Sequence, residues 1–208
     1  MTIQVVGKGE QTRQRLMDIA QSSVLDKGFS ATSIEEIITA AGITKSGFFY
    51  HFRDKNDLAK ALVERYVQDE VSMMDEIFAQ ADSLSEDPLH SFLIFLKLLS
   101  ERLADLPNGH PGCIVASCVY QEQLFSQDVR DLCSGGHLTW RKAMRGRIDQ
   151  IAAKYPPKID VEFDALADMF SAIADGGIIL SRSLKDPAKL GQQILLYRGF
   201  IKAVFAGV

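Results

Sequence analysis

Three cysteines, Cys113, Cys118 and Cys133, are the whole thiol content of this 208-residue chain. The set is too small and odd in number for the disulfide framework of a secreted fold, and free thiols in a reducing cytoplasm are the expectation. Long hydrophobic runs are missing too. Nothing approaches the ~20 uncharged apolar residues that cross a bilayer, since Lys97 interrupts even SFLIFLKLLS. The opening MTIQVVGKGEQTRQR reaches its charges before an apolar run of signal-peptide length can form. A soluble cytoplasmic protein without a membrane partner is expected. Positive charge is also scarce: 23 Lys/Arg stand against 27 Asp/Glu, a net charge of −4. That balance denies the broad basic surface of a nonspecific, architectural DNA binder, so any nucleic-acid contact has to be local. Residues 1–65 hold nine Lys/Arg against eight Asp/Glu and the remainder fourteen against nineteen, so the first third is the less acidic part.

The signatures of catalysis are wanting as well. There is no glycine-rich phosphate loop and no pair of carboxylates in an evident cleft, and His90, His110 and His137 have no evident Ser or Cys to activate. The chain is not expected to be an enzyme, and no catalytic residue is assigned. Cys113 and Cys118 with scattered His110 and His137 lack the paired spacing of a zinc site, so no metal ligand and no cofactor is expected. A small-molecule carrier or enzyme that uses a greasy helical cavity is the rival reading from another class.

What is present is helical periodicity, with few alternating β-branched runs and no internal repeat. An all-α fold is expected. The first helix runs from about Thr12 to Lys27 on the stripe Leu16, Ile19, Ala20 and Val24, and Gly28 ends it. The second begins in ATSIEEI, where Thr32 with Glu35, or Ser33 with Glu36, can form a capping box, and it ends at Gly42. Thr44 caps a short third helix that reaches Phe52, and Asp54 caps a long fourth helix to about Gln80. Beyond Pro88 comes a helix that is apolar nearly all round, hence buried. Further helices start near Cys113 and cover about 128–155, 160–184 and 187–206. The last two carry apolar seams at 3-4 spacing, which pack against other helices at shallow angles.

Two short helices joined at Gly42-Ile43, after a longer one, have the spacing of a helix-turn-helix. In GITKSGFFYHF, Phe48 and Phe52 lie one turn apart and can anchor the third helix from behind. Lys45, Ser46, Tyr50 and His51 then point outward, with donors suited to phosphate oxygens and base edges. Gly47 lets the backbone approach a duplex, and Lys55 at the start of the next helix is placed for a phosphate. An amphipathic helix pair inside an all-α core is the blander alternative.

Residues 28–62, GFSATSIEEIITAAGITKSGFFYHFRDKNDLAKAL, resemble the DNA-binding domain of the tetracycline-repressor (TetR) family of bacterial transcriptional regulators. The likeness lies in the Gly-aromatic pair, the threonine, the second helix, the lysine and glycine of TKSG, the aromatic-Tyr-His-Phe run and the following lysine, all in order. It covers about residues 11–65. The resemblance implies DNA contacts at Thr32, Ser33, Thr44, Lys45, Ser46, Gly47, Phe49, Tyr50, His51 and Lys55. Phe49 departs from the family's common phosphate-binding tyrosine. Glu35 stands where some members carry a base-reading arginine, and either accepts from a cytosine N4 or faces water.

The resemblance further implies a helix-turn-helix domain over residues 1–55 and a ligand-binding and dimerisation domain over 56–208. The partners expected are pseudo-palindromic operator DNA, a second copy of the chain and an unidentified small-molecule inducer. The function expected is that of a homodimeric repressor released from its operator by that inducer. Phe163, Phe170, Gly177, Ile194, Tyr197 and Ile201, on the two final seams, are the candidate dimer interface, with intramolecular core as the alternative. Phe92, Phe95, Leu99, Cys118, Trp140 and Phe170 are the candidate ligand pocket, again with plain core as the alternative. In GCIVASC the thiols also admit a sensor of electrophiles or oxidants, against a reading of Cys113 and Cys118 as inert buried residues.

Overall fold

The computed structural model describes residues 7–206. Residues 1–6, which belong to the segment read above as lacking an apolar leader, and residues 207–208 lie outside the described residues. Among the described residues every regular element is helical: α1 (Lys8–Lys27), α2 (Ile34–Ala41), α3 (Lys45–His51), α4 (Lys55–Leu84), α5 (Pro88–Ala104), α6 (Ile114–Val119), α7 (Gln127–Lys154), α8 (Phe163–Ser183) and α9 (Ala188–Ala206), with one 3-10 turn at Glu122–Leu124. The fold is all-α, as expected. No helix among the described residues is long and apolar enough to cross a membrane.

The helix ends follow local chemistry. Ser33 accepts the Glu36 amide at 3.1 Å, so the Ser33 cap is the one used, and Thr44 accepts the Gly47 amide at 3.1 Å. Asp54 accepts the Asp57 amide at 2.8 Å, and Asp87, followed by Pro88, accepts the His90 amide at 2.9 Å. Glu162 caps α8 through the amides of Asp164 and Ala165. α1 starts four residues before Thr12. KGEQ holds no proline, and Glu10 in the first turn suits the positive end of its dipole.

The described residues divide into two compact units. The first runs to Val67 and takes in Cys113–Ser134; the second comprises Gln68–Gly112 and the chain from Gly135 on. In the first, Leu16, Met17, Ala20 and Val24 of α1 are buried with Ile37, Ala41, Phe48, Phe52, Leu58 and Leu62. Arg65 ties α4 to α1 through Gln14, Asp18 and Gln21 at 3.2, 2.7 and 2.8 Å. The distant segment 113–134 joins this unit through Phe125, whose ring stands edge-on 4.8 Å from that of Phe29. Aromatic pairs of this geometry contribute about 0.5–1.5 kcal/mol beyond the area they bury.

In the second unit α5 is buried on most faces, through Leu89, Phe92, Leu93, Phe95, Leu96, Leu99 and Leu103. Phe78 stacks on Phe95 at 3.7 Å, and Arg147 lies over Phe78 at 4.2 Å while pairing with Asp82 at 2.8 and 2.9 Å. α8 packs on α9 through Gly177 against Leu190 and through the Tyr197 hydroxyl, which donates to the Leu166 carbonyl at 2.9 Å.

Of the two readings of the seam residues, this packing matches the intramolecular one for most of them. Ile194, Tyr197 and Ile201 are 0% exposed within a single chain, and Phe170 and Gly177 are buried too. They have no surface left for a second copy. Phe163, half-buried, is engaged by Phe205 and Arg145 of its own chain. The large apolar side chains that α8 and α9 leave outward are Ile179, Leu180, Leu195 and Leu196, with Leu184 just after α8.

Candidate nucleic-acid interface

The turn between α2 and α3 rests on Gly42, whose φ of +62° is the left-handed conformation that glycine adopts without penalty. Its amide donates to Thr39 O at 3.1 Å and the next amide donates to Ile38 O at 3.3 Å, closing the end of α2. α3 is then fixed from one side only. Phe48 is 0% and Phe52 1% exposed, their rings 5.7 Å apart, and the Arg13 guanidinium sits 5.1 Å over Phe52. Burying two such rings stabilises the placement of α3 by about 2–3 kcal/mol each.

The opposite side of α3 faces water. Tyr50 is 83% exposed, Lys45 and Ser46 are exposed, and His51 is half-buried with its ring edge-on to Tyr50 at 5.0 Å. Phe49 is exposed at 42% and edge-on to Phe48. Thr44 Oγ1 caps the helix and lies 3.0 Å from Ser46 Oγ, while a β-carbon on Gly47 would meet Thr44 and Ile43 at 3.4 and 3.7 Å. Ser33, exposed at the start of α2, contributes a hydroxyl already used in its cap. The ammonium of Lys45 lies 4.0 Å from Glu35, an exposed pair of little energetic weight.

Two of the ten expected contact residues turn inward. Thr32 is 1% exposed; its hydroxyl donates to Gly28 O at 2.9 Å and lies 3.0 Å from Ser23 Oγ, and its amide donates to Phe29 O. Its donors are spent inside the unit. Lys55 donates its ammonium to the same Phe29 carbonyl, and desolvation there lowers its pKa. The other eight residues lie on or beside the outer face of α3 and the start of α2.

Arg13 and the brace from segment 113–134 were not marked by the sequence. Gln121 accepts the Ser30 amide at 3.3 Å, and Asn56 accepts that of Ser126 at 3.0 Å. No local signal announces partners 91 and 70 residues away. The candidate pocket residues are all buried, Cys118 in the first unit and Phe92, Phe95, Leu99, Trp140 and Phe170 in the second. An open groove of about 490 Å³ in the second unit is lined by polar residues such as Asp82, Ser91 and Arg147, and by none of those aromatics.

Residues 16–62 match the family described as bacterial regulatory proteins, tetR family. The chain is similar to the transcriptional regulator AcuR of Cereibacter sphaeroides, 26% identical over 169 residues that make up 81% of this chain and 75% of that protein. It is also similar to the HTH-type transcriptional regulator AcrR of Shigella flexneri, 39% identical over 57 residues, 27% of this chain and 26% of that one. Among crystal structures, the regulatory protein TetR from Rhodobacter sphaeroides superposes with a TM-score of 0.75 at 24% identity, covering 90% of this chain and 97% of the other.

Proposed function

The chain belongs to the TetR family of DNA-binding transcriptional regulators, and from that premise we propose that it is a homodimeric repressor, released from its operator when a small molecule binds the second unit. One observation carries the reading: α3 is anchored through Phe48 and Phe52 while Lys45, Ser46, Tyr50 and His51 are left toward solvent. A helix so mounted offers donors and a ring to base edges in a major groove, with phosphates within reach of its N-terminal residues.

Dimerisation follows from recognition. One seven-residue helix reads too few base pairs for genomic specificity, and two copies read half-sites one helical turn or more apart. The outward apolar residues Ile179, Leu180, Leu184, Leu195 and Leu196 supply the face for that contact. The inducer acts by population shift. α4 contributes residues to both units, and a ligand that prefers one arrangement of the dimer over another couples to DNA by roughly 1–3 kcal/mol. The protein is a regulator without catalysis.

Sequencing the genomic fragments retained by the purified protein tests this reading. An enriched inverted repeat bound by two chains is the expected result. Retention without sequence preference, or binding of a single chain, overturns it.

A further inference from the structure

The thiols are not used by the function above, and they are not equivalent. All three cysteines are reduced and buried. Cys113 caps α6, its sulfur accepting the Ala116 amide at 3.3 Å. Cys118, in the last turn of α6, and Cys133, on α7, instead line one cavity together, of about 130 Å³ and shared with Phe125 and Arg130. Glu122 and Ser134, also on its wall, are exposed. A space of this size holds a few molecules as small as water and excludes a tripeptide thiol.

We propose that Cys118 and Cys133 form a dithiol modification site, in which a peroxide entering the cavity joins the two sulfurs as a disulfide between α6 and α7 and thereby disturbs the DNA-reading helices. In the first step the Cys133 sulfur attacks one peroxide oxygen; the O–O bond breaks, a sulfenic acid forms and one water leaves. The Cys118 sulfur then attacks the sulfenic sulfur; the S–S bond forms, the S–O bond breaks, and a second water carries away the Cys118 proton. Two electrons from the sulfur pair reduce one peroxide to two waters. The division of roles follows from the mutual influence of the two sulfurs: the neighbouring Cys118 favours the Cys133 thiolate, whereas Cys133 and burial raise the pKa of Cys118.

The same elements carry the consequence. Arg130 lies one turn before Cys133, and its guanidinium donates to the carbonyls of Phe125 and Glu122. Phe125 packs on Phe29, Gln121 holds the Ser30 amide, and Ser126 donates to Asn56 in the first turn of α4. Closure brings the two sulfurs to about 2.05 Å, so α6 and α7 must shift beneath the residues that hold the turn between α1 and α2 and the first turn of α4. The effect on DNA rests on the function proposed above; formation of the disulfide does not.

The test treats the full-length protein with hydrogen peroxide, blocks remaining thiols, and reads intact mass and non-reducing peptide maps. Wild type and Cys113→Ser should each lose two hydrogen atoms and yield a peptide pair linked through Cys118 and Cys133. Cys118→Ser and Cys133→Ser should not. A duplex selected by this protein from random sequence should bind the oxidised form roughly 5–150-fold more weakly, with recovery on reduction by dithiothreitol. A bond involving Cys113, links only between chains, or over-oxidation without a Cys118–Cys133 bond overturns the proposal. A correct disulfide with unchanged DNA affinity overturns its coupling to the head. Failure of the reduced protein to select any duplex counts against the proposed function and leaves the mass result standing.

Discussion

Leu190 lies so close to Gly177 that a β-carbon on the glycine would sit 2.8 Å from its Cδ1 and 3.0 Å from its Cα. The leucine tip can swing aside; its backbone cannot. α8 and α9 thus meet at near-backbone contact, which any side chain at 177 would force apart.

Gly177→Ala should therefore destabilise the protein by about 1–3 kcal/mol, read as a lower denaturant midpoint at unchanged m-value. Gly176→Ala is the control, since a β-carbon there meets nothing within 4 Å. Removing a glycine from a helix should raise stability by up to about 1 kcal/mol. Equal losses at both positions would contradict the close approach.

Leu196, 64% exposed, and Tyr197, fully buried, are neighbours in sequence with opposite expected effects. Leu196→Glu should leave the fold intact, convert dimers to monomers in sedimentation, and weaken operator binding. Tyr197→Phe removes the hydroxyl donor to the Leu166 carbonyl, which keeps its place in the helical ladder, and should cost about 0.5–1.5 kcal/mol of folding stability without changing the oligomeric state.

On α3, Tyr50→Ala or His51→Ala should abolish operator binding while helicity and dimer survive. Phe48→Ala should instead cost about 3–5 kcal/mol and melt the reading head, seen by circular dichroism. Affinity of the wild type should fall linearly in log–log form with salt; a flat response would mean that phosphates are not the partner.

Glu70 gives a pH prediction. Burial, with the charges of Asp69 and Asp175 nearby, raises its pKa from 4.5 to about 7. The folded state then binds a proton that the unfolded state has released, so this group's contribution is fully present below pH 4.5 and is lost as pH rises through 7. Glu70→Gln should flatten the fall in stability over that window and stabilise the protein at pH 8 by roughly 1–3 kcal/mol. Parallel stability–pH curves for the two proteins would refute it.

The DNA-reading head was legible because its determinants are local. Ser33 and Thr44 cap within three residues, Gly42 carries the turn, and Phe48 and Phe52 mark the buried side by their spacing. Seam spacing reveals that α8 and α9 pack on helices but not on whose, so for Ile194 and Tyr197 it leaves both a partner and their own chain open, and both are fully buried within one chain. The inward turn of Lys55 depends on where the Phe29 carbonyl comes to lie, and Phe125 meets Phe29 from far along the chain. Neither leaves a periodic trace.

That last contact bears on how such proteins can be recombined. Phe29 is only 2% exposed because Phe125, far along the chain, helps to cover it. A chimaera that transplants α1 to α3 alone onto another scaffold would strip that ring of its lid, and the fragment would become sticky. A successful graft has to carry Gln121, Phe125 and Ser126 along with their hosts, so operator preference cannot be exchanged as one uninterrupted cassette.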